Sequence, residues 1–476
     1  MTTGDRASRR WRLPPRVTLI DAAARLSQLP GLIWLDSSSR GPIQDGRPSG
    51  RYSYLSADPI DQFVAGPNDI DAWNDLRRWI ERTRPEHLVN PERIANQKQV
   101  VPPGEPPHGF TGGWAGSIGY EAGAWLERTG VAAGGGLADS VMHLGLYDWV
   151  LREDHLGGGV ELIVPAWSVQ RDRGRFDRVR RWLSKIDEQP VAPEPPSASI
   201  RRPPSSNFTG PAFRAAVAEI VERICRGDSF QVNLAQTLSA QTDQPPLRLY
   251  RRLRRRNPAP MSAYYDAGTY QILCSSPEGF LRVAGREVET RPIKGTVRRT
   301  GDATLDQALA DQLLTSEKDR AENVMIVDLM RSDLSRVCTA DSIEVPSLCQ
   351  IEAYQFVQHL VSVVRGRLRP ELNVVDLLVA CFPGGSITGA PKIEAMRTIA
   401  ALEPDRRGPY CGSIGYIDPA GCGGAGASEW NIAIRTMVHR DRQLRIPVGG
   451  GMTARSDPAS EEAETWIKAE GMLRAL

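Results

Sequence analysis

From Asp187 to Ser206 the chain reads DEQPVAPEPPSASIRRPPSS, with six prolines and neither a helical nor a strand period. Proline fixes its own φ, removes a backbone donor and restricts the residue before it, so no regular element runs through such a stretch. It reads as an exposed linker. The segment divides 476 residues into a first part of short, Gly-rich segments and a second part denser in periodic ones. That length suits two or three domain-sized units or one large interwoven core. In the first part GLIWLDSSSR, RYSYLSADP and FTGGWAGSIGYEAGAWLE read as strands joined by tight turns, with helices over 72–84 and 174–186.

Lys and Arg number 59 against 57 Asp and Glu, a formal charge of +2. A nucleic-acid binder working by general electrostatics needs a clustered positive excess, which this balance lacks. A hydrophobic fraction of 41% with 24% charged residues excludes general disorder. No run approaches the roughly 18 uninterrupted apolar residues of a membrane span. The opening MTTGDRASRRWRLPPRV is basic but has no apolar signal core. Seven scattered cysteines without a CxxC pair predict reduced thiols and a cytoplasmic protein.

The second part opens with a helix. Thr209 caps it, Pro211 lies in its first turn, Phe213, Val217, Ile220, Val221 and Ile224 form its apolar stripe, and Gly227 ends it. FQVNLAQTLSA then alternates as a strand, CSSPEGFLRVA and VETRPIKGTV read as two adjacent strands, and GCGGAGAS at 421–428 reads as a hairpin loop.

Two acidic pairs stand at helical spacing. Asp319 and Glu322 follow a cap at Ser316, and Glu461 and Glu464 follow Asp457 and Pro458. Residues three apart share a helix face. Such a face is ordinarily solvated surface, but each pair adjoins apolar residues (VMIVDLM; Trp466 and Ile467), which predicts packing into the core. Carboxylates gathered in a cleft repel unless a cation lies between them, and an oxygen-only set suits Mg²⁺.

Glycines cluster in FPGGSITGAPKIEAM, a turn ahead of a helix whose N-terminus can meet an anion, or simply a tight turn. Lys392 is followed by Ile393, so this is no Walker A loop. Gly449, Gly450 and Gly451 precede the second acidic helix and permit close backbone approach to a carboxylate, and Arg435 in WNIAIRTMV, which reads as one strand, offers a bidentate clamp. In PIKGT, Lys294 stands at the end of an apolar strand, either paired structurally or, in a dry pocket, a nucleophile or base. Glu278 in SSPEGF is the nearest strand-end candidate for a general acid, while His359 in VQHLVSVV reads as a core histidine.

QVNLAQ, PEGF, RPIKGT, AENVMIVDLMRSD, HLVS, PGGSITGAPK, YCGSIGY, NIAIRT and GGGMTARSDP with ExxET after it occur in an order that resembles the chorismate-utilising enzymes. These include anthranilate synthase large subunits, aminodeoxychorismate synthase component I, isochorismate synthases and salicylate synthases. The motifs cover 207–476 densely. WLDSSS, RYSYLSADP and GGWAGSIGYE extend the likeness over 16–186. The resemblance implies an α+β fold, a large antiparallel β-sheet sandwich with flanking helices. It divides the chain into an N-terminal region at 16–186, the linker at 187–206 and a chorismate-binding catalytic region at 207–476.

PIKGT and Asn233 resemble the aminodeoxychorismate synthases within that family, since anthranilate synthases generally carry a small residue in place of Lys294. On that resemblance Lys294 attacks chorismate at C2, Glu278 protonates the departing C4 hydroxyl, and ammonia adds at C4. Glu322 and Glu464 are the implied principal Mg²⁺ ligands, supported by Asp319 and Glu461. Tyr410, Arg435 and Gly449–Gly451 hold the carboxylates, Gly295 and Thr296 line the ring, and Ser386, His359 and Lys468 complete the lining. Ser37 and Pro260, Met261 and Ser262 match positions that bind tryptophan in some members. Ser332, Ser335 and Arg455 depart from the family pattern and are expected to alter loop geometry near the metal. No G-x-C-x-G-x-Q motif is present, so ammonia is expected from a separate glutamine amidotransferase, and no lyase domain is expected after Leu476.

Overall fold

A computed structural model describes residues 8–39, 43–44, 47–48, 50–88, 109–184, 203–419 and 426–476. Residues 187–202 of the proline-rich segment and 421–425 of the glycine-rich one lie outside that set. Among the described residues the strands form a twelve-stranded sheet, a ten-stranded sheet and a small two-stranded hairpin. Every strand pairing within them is antiparallel.

Both large sheets draw strands from either side of the proline-rich segment. In the twelve-stranded sheet Ile33–Asp36 pairs with Met261–Asp266, Tyr264 lying opposite Trp34. In the ten-stranded sheet Gly113–Ile118 pairs with Ser413–Ile417, Gly415 lying opposite Gly116. Among the described residues three large apolar cores follow from period-two alternation, beside a small cluster of Leu313, Cys349 and Leu360. One, with Ile33, Tyr54, Tyr147, Tyr265, Ile272, Tyr416 and Val438, lies between the sheets. A second joins the twelve-stranded sheet to helices including Leu19–Leu26, Arg175–Ser184 and Pro246–Arg256. The third joins the ten-stranded sheet to Ala72–Arg82, Glu317–Ser335, Val374–Cys381 and Lys392–Leu402. The α+β sandwich with flanking helices is the observed architecture.

Local signals hold where they are chemical. Thr209 caps helix Gly210–Cys225 by accepting from the Ala212 N–H, and Gly227 leaves it at φ +90°. The strands flanking the glycine-rich segment, Ser413–Ile417 and Ala427–Asn431, pair antiparallel. Cysteines 225, 274, 338, 349, 381 and 411 are free. No described helix is long and apolar enough to cross a membrane.

Candidate active site

Strand Gln271–Ser276 belongs to the twelve-stranded sheet and Gly279–Ala284 to the ten-stranded one, so the chain changes sheet at Pro277 and Glu278. It changes sheet again between Ala427–Asn431 and Thr436–Arg440, where Arg435 takes φ +52°. The crossings lie side by side: the Ile432 N–H donates to the Glu278 carbonyl at 3.0 Å and the Ser275 N–H to the Arg435 carbonyl at 3.1 Å. The Ser276 hydroxyl ties them further, donating to the Ile432 carbonyl at 2.6 Å. CSSPEGFLRVA and WNIAIRTMV each read as one strand and are each two, in different sheets. Extended backbone alternates identically whether or not its hydrogen-bonding partner changes.

Lys294 lies near the start of strand Ile293–Arg298, not at a strand's end. Its register against Val357–Arg367 shifts between Lys294 and Thr296, a bulge with Gly295 at φ +72°. A Cβ at Gly295 would fall 2.6 Å from the Leu313 side chain and 3.0 Å from the Asp319 carboxylate. Glycine therefore lets the bulge and the first acidic helix close on each other.

Glu278 is 6% exposed. Burial pushes its carboxyl up to about 7, opposed by a hydrogen bond from the Ser386 hydroxyl, by the Lys294 ammonium and by the Ile293 N–H. Lys294 Nζ donates to the Ser386 carbonyl at 3.4 Å and lies 3.9 Å from Glu322 Oε2. Burial holds this amine below the ordinary lysine range; Glu322 and Glu278 oppose the shift and Lys468 adds to it. An amine eased toward neutrality beside a carboxyl eased toward its acid form is a combination that suits nucleophile and proton donor.

Ser316 and Asp457 cap the two acidic helices, Glu317–Ser335 and Pro458–Leu473, by accepting from the N–H groups of Asp319 and Ser460. Burial raises the Glu322 carboxyl, with Asp319 and Glu461 adding to the rise and Lys294 and Lys318 opposing it. Carboxylates of both helices thus act on one another. Glu461 is buried and accepts from the Ser456 hydroxyl at 2.6 Å. Glu464, exposed on this face, is held below the ordinary carboxylate range against partial desolvation by Lys468, whose Nζ is 2.7 Å away. Trp466 and Ile467, expected to pack inward, are exposed; the helix instead buries Glu461, Thr465, Ala469 and Met472. Its inward stripe is mixed, so apolar neighbours in the sequence misreport the face.

Among the described residues no three His, Cys, Asp or Glu side chains converge as a ready-made cage for an ion. Mg²⁺ usually takes one or two carboxylates and completes its octahedron with water and substrate oxygens. An all-oxygen face crowded with negative charge fits that habit. Ser332 and Ser335 lie at the far end of the first acidic helix from Glu322, where the Ser335 hydroxyl donates to the Ser332 carbonyl at 2.7 Å. Arg455 is exposed in the loop before the second.

The glycine strand Gln443–Met452 meets this face. Lys468 Nζ donates to the Gly449 carbonyl at 3.0 Å, and a Cβ at Gly450 would lie 3.3 Å from that amine and 3.5 Å from Glu461 Oε2. Arg435 donates to the Lys468 carbonyl at 2.8 Å. Burial lowers the Arg435 pKa, while Tyr410 and Glu464 favour its charge. Thr296 Oγ1 lies 2.9 Å from His359 Nδ1. Burial, reinforced by Arg435, pushes that imidazole down to about 4, so it is neutral at physiological pH. Lys392, at the end of the PGGS segment, donates to Asp333 at 2.6 Å and to the Cys381 carbonyl at 2.9 Å.

Ser37 and Pro260–Ser262 gather elsewhere. The Ser37 hydroxyl donates to the carbonyls of Tyr52 and Pro260, both at 3.0 Å. Ser37, Pro260 and Met261 border a cavity of about 420 Å³ that is also lined by Pro277, Gly279 and Ile293, the chain neighbours of Glu278 and Lys294. Ser262 is buried behind it, donating to the Ala259 carbonyl at 3.0 Å.

Sequence reasoning passed over Gln231. It is 1% exposed, its Oε1 has no hydrogen-bond partner among the described residues, and a Cβ at Gly451 would fall 2.0 Å from its Nε2. A polar residue opening an apolar strand was the available signal.

A family model described as chorismate binding enzyme matches residues 43–474, so this chain is a chorismate-binding enzyme and belongs to that family. It is 36% identical to "Aminodeoxychorismate synthase component 1" of Salmonella typhimurium, over 90% of each chain. It is also 36% identical to "Anthranilate synthase component 1" of Streptomyces coelicolor, over 91% of this chain and 82% of that one. Among solved structures, anthranilate synthase component I from Streptococcus pneumoniae superposes with a TM-score of 0.73 at 31% identity, covering 89% of this chain and 92% of the other.

Proposed function

We propose that this chain aminates chorismate at C4, forming 4-amino-4-deoxychorismate in the cytoplasmic route to 4-aminobenzoate and folate, with ammonia from a separate glutamine amidotransferase. The observation that carries this reading is that Ser386 meets both a mostly buried lysine, Lys294, through its carbonyl and a buried carboxyl, Glu278, through its hydroxyl, with burial pushing the amine down and the carboxyl up. The likeness to component 1 of an aminodeoxychorismate synthase supports it and supplies the expectation of a second component.

Neutral Lys294 forms a C2–N bond as the C4–O bond breaks and the ring double bonds shift. Glu278 delivers the proton with which the C4 hydroxyl leaves as water. Ammonia then forms the C4–N bond as the C2–N bond breaks, its electron pair returning to Lys294, and a proton from the new ammonium recharges Glu278. The sum is chorismate plus ammonia giving the amino product plus water. Tyr410, Arg435 and the Gly449–Gly451 backbone hold the carboxylates, Gly295, Thr296, His359 and Ser386 line the ring, and Lys468 stands beside Glu464. Glu322 and Glu464, supported by Asp319 and Glu461, would hold Mg²⁺, a hard cation that neutralises a substrate carboxylate. Ser37, Pro260 and Met261 would border tryptophan in the inter-sheet cavity, with Ser262 supporting them from behind.

The test is to incubate the purified chain with chorismate, Mg²⁺ and ammonium and to identify products by chromatography and mass. The expected product is non-aromatic, carries an amino group and yields 4-aminobenzoate only when a lyase is added. Anthranilate would establish the second reading, favoured by equal identity to an anthranilate synthase component. Isochorismate or salicylate formed without ammonia would remove the amination step.

A further inference from the structure

Arg407 and Glu403 form a buried ion pair, 5% and 6% exposed. The pair is bidentate, Nε to Oε2 at 2.9 Å and Nη2 to Oε1 at 2.7 Å. Removing two charges from water is costly, and apolar residues of the same size often fill such a space as well. What distinguishes this pair is the set of main-chain groups it holds.

Arg407 Nη1 donates to the Ile387 carbonyl at 2.9 Å, and Nη2 to the Asn233 carbonyl at 3.2 Å. Glu403 Oε1 accepts from the Ala235 N–H at 2.8 Å, and the Arg407 carbonyl accepts from the Tyr410 N–H at 3.3 Å. The guanidinium lies 4.6 Å from the centre of the Tyr120 ring, which closes its remaining face. Two segments therefore meet at one guanidinium, the turn Gly385–Ile387 and the strand Gln231–Gln241, while the backbone of the same residue starts the turn leading to Tyr410. The first of these presents the Ser386 carbonyl to Lys294 and the Ser386 hydroxyl to Glu278.

Packing holds the other side of that turn. A Cβ at Gly384 would fall 2.5 Å from Ile432 and one at Gly385 would fall 2.4 Å from Leu329. The Asn233 N–H donates to the Thr388 carbonyl at 2.8 Å. With apolar contacts on one side, the polar anchor on the other sets where Ser386 stands.

We propose that the Arg407–Glu403 pair is a positioning element for the reaction centre, placing Ser386 so that its carbonyl meets Lys294 and its hydroxyl meets Glu278. Planar, five-donor geometry is what the position needs, so lysine is not equivalent to arginine there. The inference rests on the amination reading only for the roles of Lys294 and Glu278. Product analysis of the unmutated chain tests that reading separately.

The experiment uses the full chain with chorismate, Mg²⁺ and ammonium, comparing R407K, E403Q and the double variant for kcat, KM, pH profile and thermal melting. Misplacing reacting groups by about an ångström costs roughly 100-fold, so each single variant should lower kcat by about 10- to 100-fold while KM moves less than about threefold. The double variant should fall little further than the worse single one, because the two act as a unit. Loss of the Ser386 donor no longer favours ionised Glu278, so the alkaline limb of the profile should move to higher pH. Unchanged kcat and limbs in a folded variant would overturn the proposal. So would a fall in rate that only tracks the folded fraction. If R407K does not fold, E403Q decides, and failure of both makes the pair a determinant of folding alone, which also overturns it.

Discussion

Asp36 and Glu278 are both buried carboxylates, 2% and 6% exposed, and their surroundings differ in kind. Asp36 accepts from Arg254 at 2.7 and 3.2 Å, from the Tyr250 hydroxyl at 2.9 Å and from the Ser53 hydroxyl at 3.2 Å. Arg254 also lies 4.9 Å from the centre of the Trp34 ring. Glu278 has the Ile293 N–H, the Ser386 hydroxyl and, as its cation, a lysine whose own charge is disfavoured by burial. A fully paired charge fastens strands and helix together. An incompletely paired one costs stability and keeps a proton available near neutral pH.

The largest effect should come from Lys294→Ala. Loss of a covalent nucleophile should lower kcat by on the order of 10⁴-fold or more, with chorismate binding retained by calorimetry. Full activity would remove Lys294 from the chemistry and with it the contrast between the two corners.

Glu278→Gln and Asp36→Asn should separate rate from stability. Glu278→Gln should cost roughly 10²- to 10⁴-fold in kcat. The folded carboxyl titrates near 7 against an ordinary 4.5, so its contribution to stability is full below about 4.5 and lost as pH rises toward 7. Replacing it should therefore stabilise the fold at pH 8 by up to about 3 kcal/mol and do little at pH 4, measured as denaturation midpoints at both pH values. Asp36→Asn should do the reverse, costing about 3 kcal/mol because the mostly buried Arg254 loses its carboxylate partner, with kcat per folded molecule unchanged. A destabilised Glu278→Gln at pH 8 would mean that both corners are structural.

Next in size, Glu322→Gln or Glu464→Gln should raise the Mg²⁺ concentration for half-maximal rate by about tenfold or more. An unchanged requirement would move the metal away from the acidic face. Ser37→Ala should have the smallest effect, about 1 kcal/mol from its lost hydroxyl bonds, with no change in kcat when chorismate is saturating. A large loss of rate there would couple the inter-sheet cavity to Glu278.

Much of this was legible in the residues because its causes are local. Ser316, Asp457 and Thr209 cap the helices they precede, since a short side chain three residues before an N–H needs no distant partner. Gly295 was legible only as a ring-lining position by resemblance; its φ of +72° and the Asp319 carboxylate against it belong to the fold. Misread features depended on distant partners. Trp466 and Ile467 adjoin the acidic pair but face outward. Gln231 and Arg407 sit among apolar or loop residues that reveal nothing of the backbone groups they meet.

The residues alone determined where the helices at 210, 317 and 458 begin and how they are capped, and that a lysine and a strand-end acid were available to an enzyme of the chorismate-binding family. Only the tertiary structure decided that Glu278 and Arg435 stand at adjoining changes of sheet, that carboxylates from two distant helices act on one another, and that Ser386 touches both Lys294 and Glu278. The physical reason is range: caps and bulges arise from interactions a few residues apart. Burial, which moves Glu278 up to about 7 and Lys294 down, is a property of everything packed around them.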